Sequence, residues 1–382
     1  MKVLLSAGMI QGGRSGVGRY VIALSEALVR EQPGVDLHVA GLDADRGLFP
    51  WLPAARWISI PASMAGGVAN LWWHQMSLNG VLRRLKLDLV HIPSYRRMLW
   101  HCALPQVATI HDCAPFILRD KYDFARGFFG RVVVPAIARR VQRVIAVSET
   151  TAKDVVHFMR VPAANVTAVP NGIDHQLFQP PAAAAVAAFR QRNQLQQPFF
   201  LYVARLEHPA KNHLRLIRAF EAVASSGGFS GQLVLPGAPW HGSEVIARAV
   251  AASPFRGRIR LTGFVDNAEL PLWYAAAEAL VFPSLMEGFG LPLLEAQACG
   301  TRIACADATS LPEVAGPAGM LFDGRDESSI AAAMTRLATM DATERRRLEQ
   351  AGTAWAARFT WSAHAAAAAR IYRTTLANPT LS

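Results

Sequence analysis

Short apolar runs alternate with segments of helical period along nearly all of the 382-residue chain. Residues 2–7, 37–42, 87–92, 107–110, 144–147 and 166–169 read as buried strands, each too short and too evenly apolar for a surface helix. Helical patterns separate several of them, over about 68–86, 126–141 and 150–159. A second alternation begins at 199–206 and continues through 233–236, 259–263, 280–283 and 303–306. Helices are expected between these strands, over about 211–225, 243–253, 267–277 and 291–299. Three more close the chain, the last an alanine-rich helix over about 361–376. Repeated strand-helix alternation predicts an α/β protein with parallel, doubly wound sheets.

The chain is too long for one comfortable hydrophobic core, so two domains are expected. Pro180-Pro181 and the alanine run to Ala188 mark a change of character, which places a linker there. The division read from the sequence is therefore 1–180 and 181–360, followed by a terminal segment 361–382. Two such units would leave a cleft, with ligands held outside the carboxyl ends of the strands.

Composition narrows the class. With 52% hydrophobic and 18% charged residues the chain is globular. Its net charge of +11 is uneven, since residues 1–180 hold 20 Lys and Arg against 12 Asp and Glu. A basic first half suits phosphates, an anionic membrane surface or nucleic acid, or is simply a solvated face. No nucleic-acid-binding motif accompanies the charge, so no nucleic-acid partner is expected. Cys102, Cys113, Cys299 and Cys305 show no metal or disulfide spacing and are expected to be reduced and structural. There is no signal-like segment and no apolar run long enough to span a bilayer, which suggests a cytoplasmic protein. Trp72 and Trp73 beside His74 read as the packing face of an amphipathic helix in preference to a membrane or acceptor contact.

The candidate chemistry lies in the loops. Residues 8–20 follow the first strand and contain five glycines, including Gly16, before a helix begins. They match neither the dinucleotide fingerprint nor a phosphate-binding P-loop, which leaves a flexible loop able to face a phosphate or a sugar. Thr109-Ile110-His111-Asp112 ends another strand, and His111 there is a candidate polar contact. In the second half, Arg205 and Lys211 can converge on one anion at a helix start. Gly263-Phe264 ends a strand where an aromatic ring or bare backbone can face a base, and Asp266 suits the following N-cap.

The densest stretch is residues 279–300. An apolar strand meets Pro283-Ser284, then Glu287-Gly288-Phe289-Gly290-Leu291, and then a helix carrying Glu295. A strand, a glycine turn and a helix N-terminus form a ready anion site. Amides of Phe289, Gly290 and Leu291 can donate to a diphosphate, and Glu295 can accept from two adjacent ribose hydroxyls. Glu287, nearer the loop tip, can accept from a second sugar. The ligand that uses all of these groups is a nucleotide diphosphate-sugar.

At these residues the chain resembles the family 4 glycosyltransferases, retaining enzymes of the two-domain GT-B fold. The resemblance rests on Glu287 and Glu295 with the Pro283–Gly300 sequence around them. It extends through Gly16-Val17-Gly18-Arg19-Tyr20, His111-Asp112, Val147-Ser148-Glu149, Pro170-Asn171-Gly172-Ile173-Asp174, Arg205 with Lys211-Asn212, and Ser310-Leu311-Pro312-Glu313-Val314. It implies that Arg205 and Lys211 bind the diphosphate, Glu295 the ribose and Glu287 the donor sugar, beside the Phe289-Gly290-Leu291 backbone. It also implies a phosphate contact at Gly16, a sugar contact at His111, no metal or other cofactor, and a final helix that returns to the first domain. The loop Glu207-His208-Pro209-Ala210-Lys211 is longer than the family commonly shows.

The variants present look most like bacterial polysaccharide mannosyltransferases. The resulting expectation is transfer of mannose from GDP-mannose to an acceptor hydroxyl, in polysaccharide, O-antigen or lipid-linked oligosaccharide assembly at the inner membrane face. A UDP-sugar donor, a nucleotide-sugar epimerase of the same fold and a non-catalytic sugar-nucleotide binder are the alternatives.

Overall fold

The apolar runs pair as two all-parallel sheets, each belonging to its own unit. The computed structural model describes residues 1–13, 15–118 and 123–378. Unit 1 comprises Met1–Gly172 and Thr360–Ser382, and unit 2 comprises Ile173–Phe359. The passage between units thus falls at Gly172/Ile173, earlier than the expected 180/181. The expected linker is a helix of unit 2, Ala183–Arg192, because an alanine run is the strongest of helix formers. The closing helix, Trp361–Ala377, lies in unit 1. Residues 379–382 of the expected terminal segment, and Arg14 of the glycine loop, lie outside the described residues.

Unit 1 contains β1 (Lys2–Ser6), β2 (Asp36–Leu42), β3 (Trp57–Ile60), β4 (Leu89–Ile92), β5 (Gln106–Ile110), β6 (Arg143–Ala146) and β7 (Val166–Ala168). They lie in the order β3-β2-β1-β4-β5-β6-β7. The order reverses between β1 and β4, the switch point where such sheets bind ligands. Strand β3 escaped the sequence reading because an edge strand is half exposed and lacks a continuous apolar run. The helical pattern over 68–86 divides at Ser77 into Gly67–Met76 and Leu78–Arg84. That over 126–141 passes through a π-helical turn at Phe129–Val133.

The two faces of this sheet differ. Ile92 and Ala108 are register partners on β4 and β5, so they point to the same side. Ile92 packs with Trp73, Leu78 and Leu82 of the first helix pair. Ala108 packs with Val134, Ile137 and Ala138. Both helix groups therefore cover one face. On the other, Thr109 and His91 meet Tyr20 of the helix Gly16–Glu31 and Tyr372 of the helix Trp361–Ala377. The return of the chain requires Gly172, where a Cβ would stand 2.3 Å from the Trp361 nitrogen.

Unit 2 contains β8 (Phe199–Leu201), β9 (Gln232–Pro236), β10 (Ile259–Gly263), β11 (Ala279–Phe282), β12 (Ile303–Ala306) and β13 (Gly319–Phe322), in the order β10-β9-β8-β11-β12-β13. The switch point is between β8 and β11. Strand β13 is a half-exposed edge whose apolar run, residues 320–322, is too short to stand out in the sequence. The expected strand 199–206 is cut at Leu201, yet its extended course continues. Tyr202, Ala204 and Leu206 donate in turn to the Val234, Pro236 and Ala238 carbonyls. The four cysteines are free, and Cys113, Cys299 and Cys305 are buried. Burial drives all four thiols up, Cys102 to about 11 and Cys299 and Cys305 to about 12.

Candidate active site

The loops after β8 and β11 leave the sheet on either side of the unit 2 switch point, and they carry five of the expected residues. Tyr202 anchors the first loop, its hydroxyl donating to the Lys211 carbonyl at 2.8 Å. Asn212 closes it and caps the helix His213–Ser225 from the left-handed region, φ 60°. Its amide donates to the Pro283 and Gly324 carbonyls at 3.0 and 2.6 Å, which ties the loop to the β11 exit. The Leu285 amide reaches back to the Ala210 carbonyl at 3.1 Å. With the backbones fixed, Lys211 Nζ meets Glu287 Oε1 at 2.5 Å. The longer loop thus delivers Lys211 beside the carboxylate.

Arg205 sits 4.8 Å above the Trp240 ring, and its guanidinium is 3.5 Å from the buried Glu207 carboxylate. A guanidinium stacked on one side and paired on another is preorganised as a fork for an oxyanion. Trp240 was not singled out from the sequence, and only a structure places it under Arg205. His213 packs on Tyr202, and burial together with the Lys211 charge lowers it to about 3, so it is neutral.

The second loop is held by Ser310, which stands in the sequence motif without an assigned role, and by Thr309, which the sequence did not single out. Ser310 Oγ lies 3.0 Å from the Glu287 carbonyl and 2.9 Å from that of Phe289, so one hydroxyl proton serves two acceptors. Thr309 Oγ1 accepts from the Glu287 amide at 3.1 Å. Gly290, at φ 107°, then turns the chain into the helix Leu291–Ala298, with Pro292 in its first turn. The Phe289 ring turns inward and packs against Phe359, so only its backbone can serve a ligand. Glu295 is 4% exposed and Oε2 accepts from the Tyr274 hydroxyl at 2.8 Å. Tyr274 is a second site residue the sequence did not reveal. Phe264 is 69% exposed beyond Gly263, and Asp266 caps the next turn by accepting from the Ala268 amide.

Gly16 and His111 belong to unit 1. Gly16 is exposed at the first position of its helix, which Ser15 caps by accepting from the Gly18 amide at 3.0 Å. His111 Nε2 lies 3.1 Å from the Pro93 carbonyl, which can only accept. That contact puts the proton on Nε2 and leaves Nδ1 as an acceptor. The ring meets Tyr20 edge-on at 4.8 Å, and burial lowers its pKa. A neutral His111 can accept from a hydroxyl.

Comparison with known proteins agrees with this architecture. Residues 14–177 match Glycosyltransferase Family 4, and residues 197–340 match Glycosyl transferases group 1. The O-antigen chain mannosyltransferase B of Escherichia coli is 28% identical over 280 residues, 73% of this chain and 72% of that protein. The serotype-specific mannosyltransferase WbdA of Escherichia coli is 27% identical over 67% of this chain but only 32% of its own greater length. Among solved structures, sucrose-phosphate synthase from Thermosynechococcus elongatus superposes with a TM-score of 0.79 at 21% identity over 99% of both chains. HepE from Anabaena, solved in complex with UDP and glucose, gives 0.77 at 18% identity over 98% of this chain and 100% of that one. The chain belongs to the family 4 glycosyltransferases and has the GT-B architecture. It is a transferase with mannosyltransferases among its relatives.

Proposed function

We propose that this enzyme moves a hexose, mannose from GDP-mannose, to a saccharide hydroxyl in bacterial polysaccharide, O-antigen or lipid-linked oligosaccharide assembly. The observation that carries the reading is the Lys211–Glu287 pair, set near the Gly290 helix start on loops that flank the unit 2 switch point. It joins a cation suited to a diphosphate with a carboxylate suited to sugar hydroxyls. On this reading Arg205 and Lys211 take the diphosphate, Glu295 the ribose, and Glu287 the sugar. The Phe289-Gly290-Leu291 backbone lies along the donor, and Phe264 or its backbone faces the base. Unit 1 supplies Gly16 for a phosphate and His111 as a hydroxyl acceptor. The mannosyltransferase relatives support the choice of sugar.

Transfer proceeds with retention. The acceptor oxygen bonds to the anomeric carbon on the face from which the phosphate oxygen departs, and that departing phosphate takes the acceptor proton. Arg205, Lys211 and the helix terminus carry the leaving charge, so no metal is required.

A thermal-shift panel of GDP-, UDP- and ADP-sugars tests the donor. A ligand at a hundred times its dissociation constant stabilises the fold by about 2.7 kcal/mol, so the true donor stands apart. GDP-mannose is expected to give the largest shift, and Glu295→Ala to lose most of it. A larger shift with a UDP-sugar would reassign the base. Conversion of the donor without an acceptor would mark an epimerase, and binding with no turnover on an acceptor panel a non-catalytic binder.

A further inference from the structure

Apolar side chains on the outside of this protein are concentrated in one place. Among the described residues, eleven large hydrophobic side chains are exposed, and eight of them lie between Val68 and Val132 in unit 1. They form two stripes. Val68, Trp72 and Met76 recur every fourth residue on the helix Gly67–Met76, whose opposite side buries Asn70, Trp73 and His74. Phe124, Phe128 and Val132 recur likewise along Phe124–Phe128 and the π-helical turn, with Gly127, Gly130 and Val134 turned inward. The tryptophan pair read from the sequence as packing is thus divided: Trp73 packs inward, and Trp72 is 61% exposed.

The two stripes share one face of the sheet, as the Ile92 and Ala108 register shows. The segment between β4 and β5 bridges them. Arg97 bonds to Asn70 and Gly67 of the first helix, and Trp100 lies under the Arg140 guanidinium at 4.6 Å, just past the second.

Charge selects the occupant. Residues 61–141 hold 11 Lys and Arg against 4 Asp and no Glu, nearly the whole basic excess of the first half. Arg83 and Arg84 end the helix that follows the first stripe, and both are exposed. Two copies packed through this face would oppose like charges. An anionic bilayer would take the aromatic tips into its interfacial zone and neutralise the cations. We propose that this face of unit 1 docks in the plane of an anionic membrane, with Trp72, Met76, Phe124 and Phe128 as the inserted groups. Among the described residues no helix is long and apolar enough to cross a bilayer, so this contact is peripheral. The inference is independent of which nucleotide-sugar unit 2 binds.

Flotation of the full chain with vesicles tests it, using phosphatidylcholine alone and phosphatidylcholine mixed with phosphatidylglycerol. The wild type is expected to float with the mixed vesicles and to be released as salt rises. The double variant Trp72→Ser with Phe124→Ser is expected to partition roughly tenfold less or lower. Arg83→Glu with Arg84→Glu is expected to lose a comparable amount, which guards against a folding defect in the aromatic variant. Thermal midpoints of both should match the wild type, since all four positions are exposed. Failure of the wild type to float, or unchanged flotation of both variants, would overturn the proposal. So would a dimer in sedimentation that dissociates in the Trp72/Phe124 variant while wild type ignores vesicles.

Discussion

Lys211 Nζ stands 2.5 Å from Glu287 Oε1, and each side chain keeps only 17% of its surface exposed. In a pair this sheltered, losing one partner leaves the other charge partly buried and uncompensated, and the pairing still leaves the ammonium with two further protons to donate. On the proposed reading the diphosphate takes those protons, and Glu287 remains beside the sugar. Lys211→Ala should then raise the donor KM, whereas Glu287→Gln should lower kcat by roughly 10²–10³ with a smaller change in KM. Steady-state kinetics with varied donor separates the two. Equal effects on KM and kcat in both variants would count against distinct roles.

Ser310 holds the Glu287 loop by its backbone and does not touch Glu287's carboxylate. Ser310→Ala leaves the Glu287 and Phe289 carbonyls short of a donor in a buried setting. The expected loss of stability is about 1–3 kcal/mol. Because the loop carries the proposed sugar contact, kcat should fall as well. Urea unfolding and kinetics on one preparation check both, and Ser310→Thr should restore part of each.

Chelation bears on the leaving group. With Arg205, Lys211 and a helix terminus as the proposed counter-charge, activity should survive prolonged treatment with EDTA and show no gain from added magnesium or manganese. Arg205→Ala should remove most turnover under the same conditions. Activity that vanishes with chelator and returns with a divalent ion would require a cation in the reaction.

How far the sequence revealed these features depends on how local their causes are. Buried parallel strands are continuous apolar runs, so eleven of the strands were legible, while β3 is interrupted by Ser59 and the apolar run of β13 is only three residues long. The loop motif around Glu287, Glu295, Arg205 and Lys211 was legible because glycine, proline and charge cluster within short segments. Trp240 under Arg205 and Tyr274 on Glu295 come from elsewhere in the fold, and no local pattern announces them. The alanine run after Pro181 reads as a linker because two prolines precede it, yet it forms the helix Ala183–Arg192 within unit 2.

Buried histidines give unit 1 an acid limit. Burial lowers His91 to about 3 and His74 and His364 to about 4, from an ordinary value of 6.5. The folded state keeps these rings neutral while the unfolded chain protonates them, so stability is full above pH 6.5 and falls as pH drops toward 4. One pH unit below 6.5, each ring costs about 1.4 kcal/mol. Chemical denaturation at pH 7.5 and 5.5 should show this loss, and His74→Gln should reduce its steepness. A flat profile over that range would contradict the burial of these groups.

Those rings also belong to a chain of hydrogen bonds with one permitted direction. His364 Nδ1 lies 2.8 Å from the Pro170 carbonyl, which can only accept, so the proton is on Nδ1 and Nε2 is an acceptor. The Tyr20 hydroxyl must then donate to Nε2, at 3.0 Å, and accept from Thr109 at 2.9 Å. Thr109 in turn accepts from His91 Nε2 at 2.7 Å, which leaves His91 Nδ1 to accept from the Tyr372 hydroxyl at 2.7 Å. Each group is buried and each spends its one proton, so the helix Trp361–Ala377 is held to β4, β5 and the helix Gly16–Glu31 by a single ordered arrangement. Tyr20→Phe breaks it in the middle and strands the Thr109 proton and His364 Nε2, at an expected cost of about 1–3 kcal/mol. Thr109→Val should cost a similar amount. The double variant should cost less than their sum, because once Tyr20 is gone the Thr109 hydroxyl has one fewer partner to lose. A double-mutant cycle in urea measures the difference, and strict additivity would show that the two hydroxyls act separately.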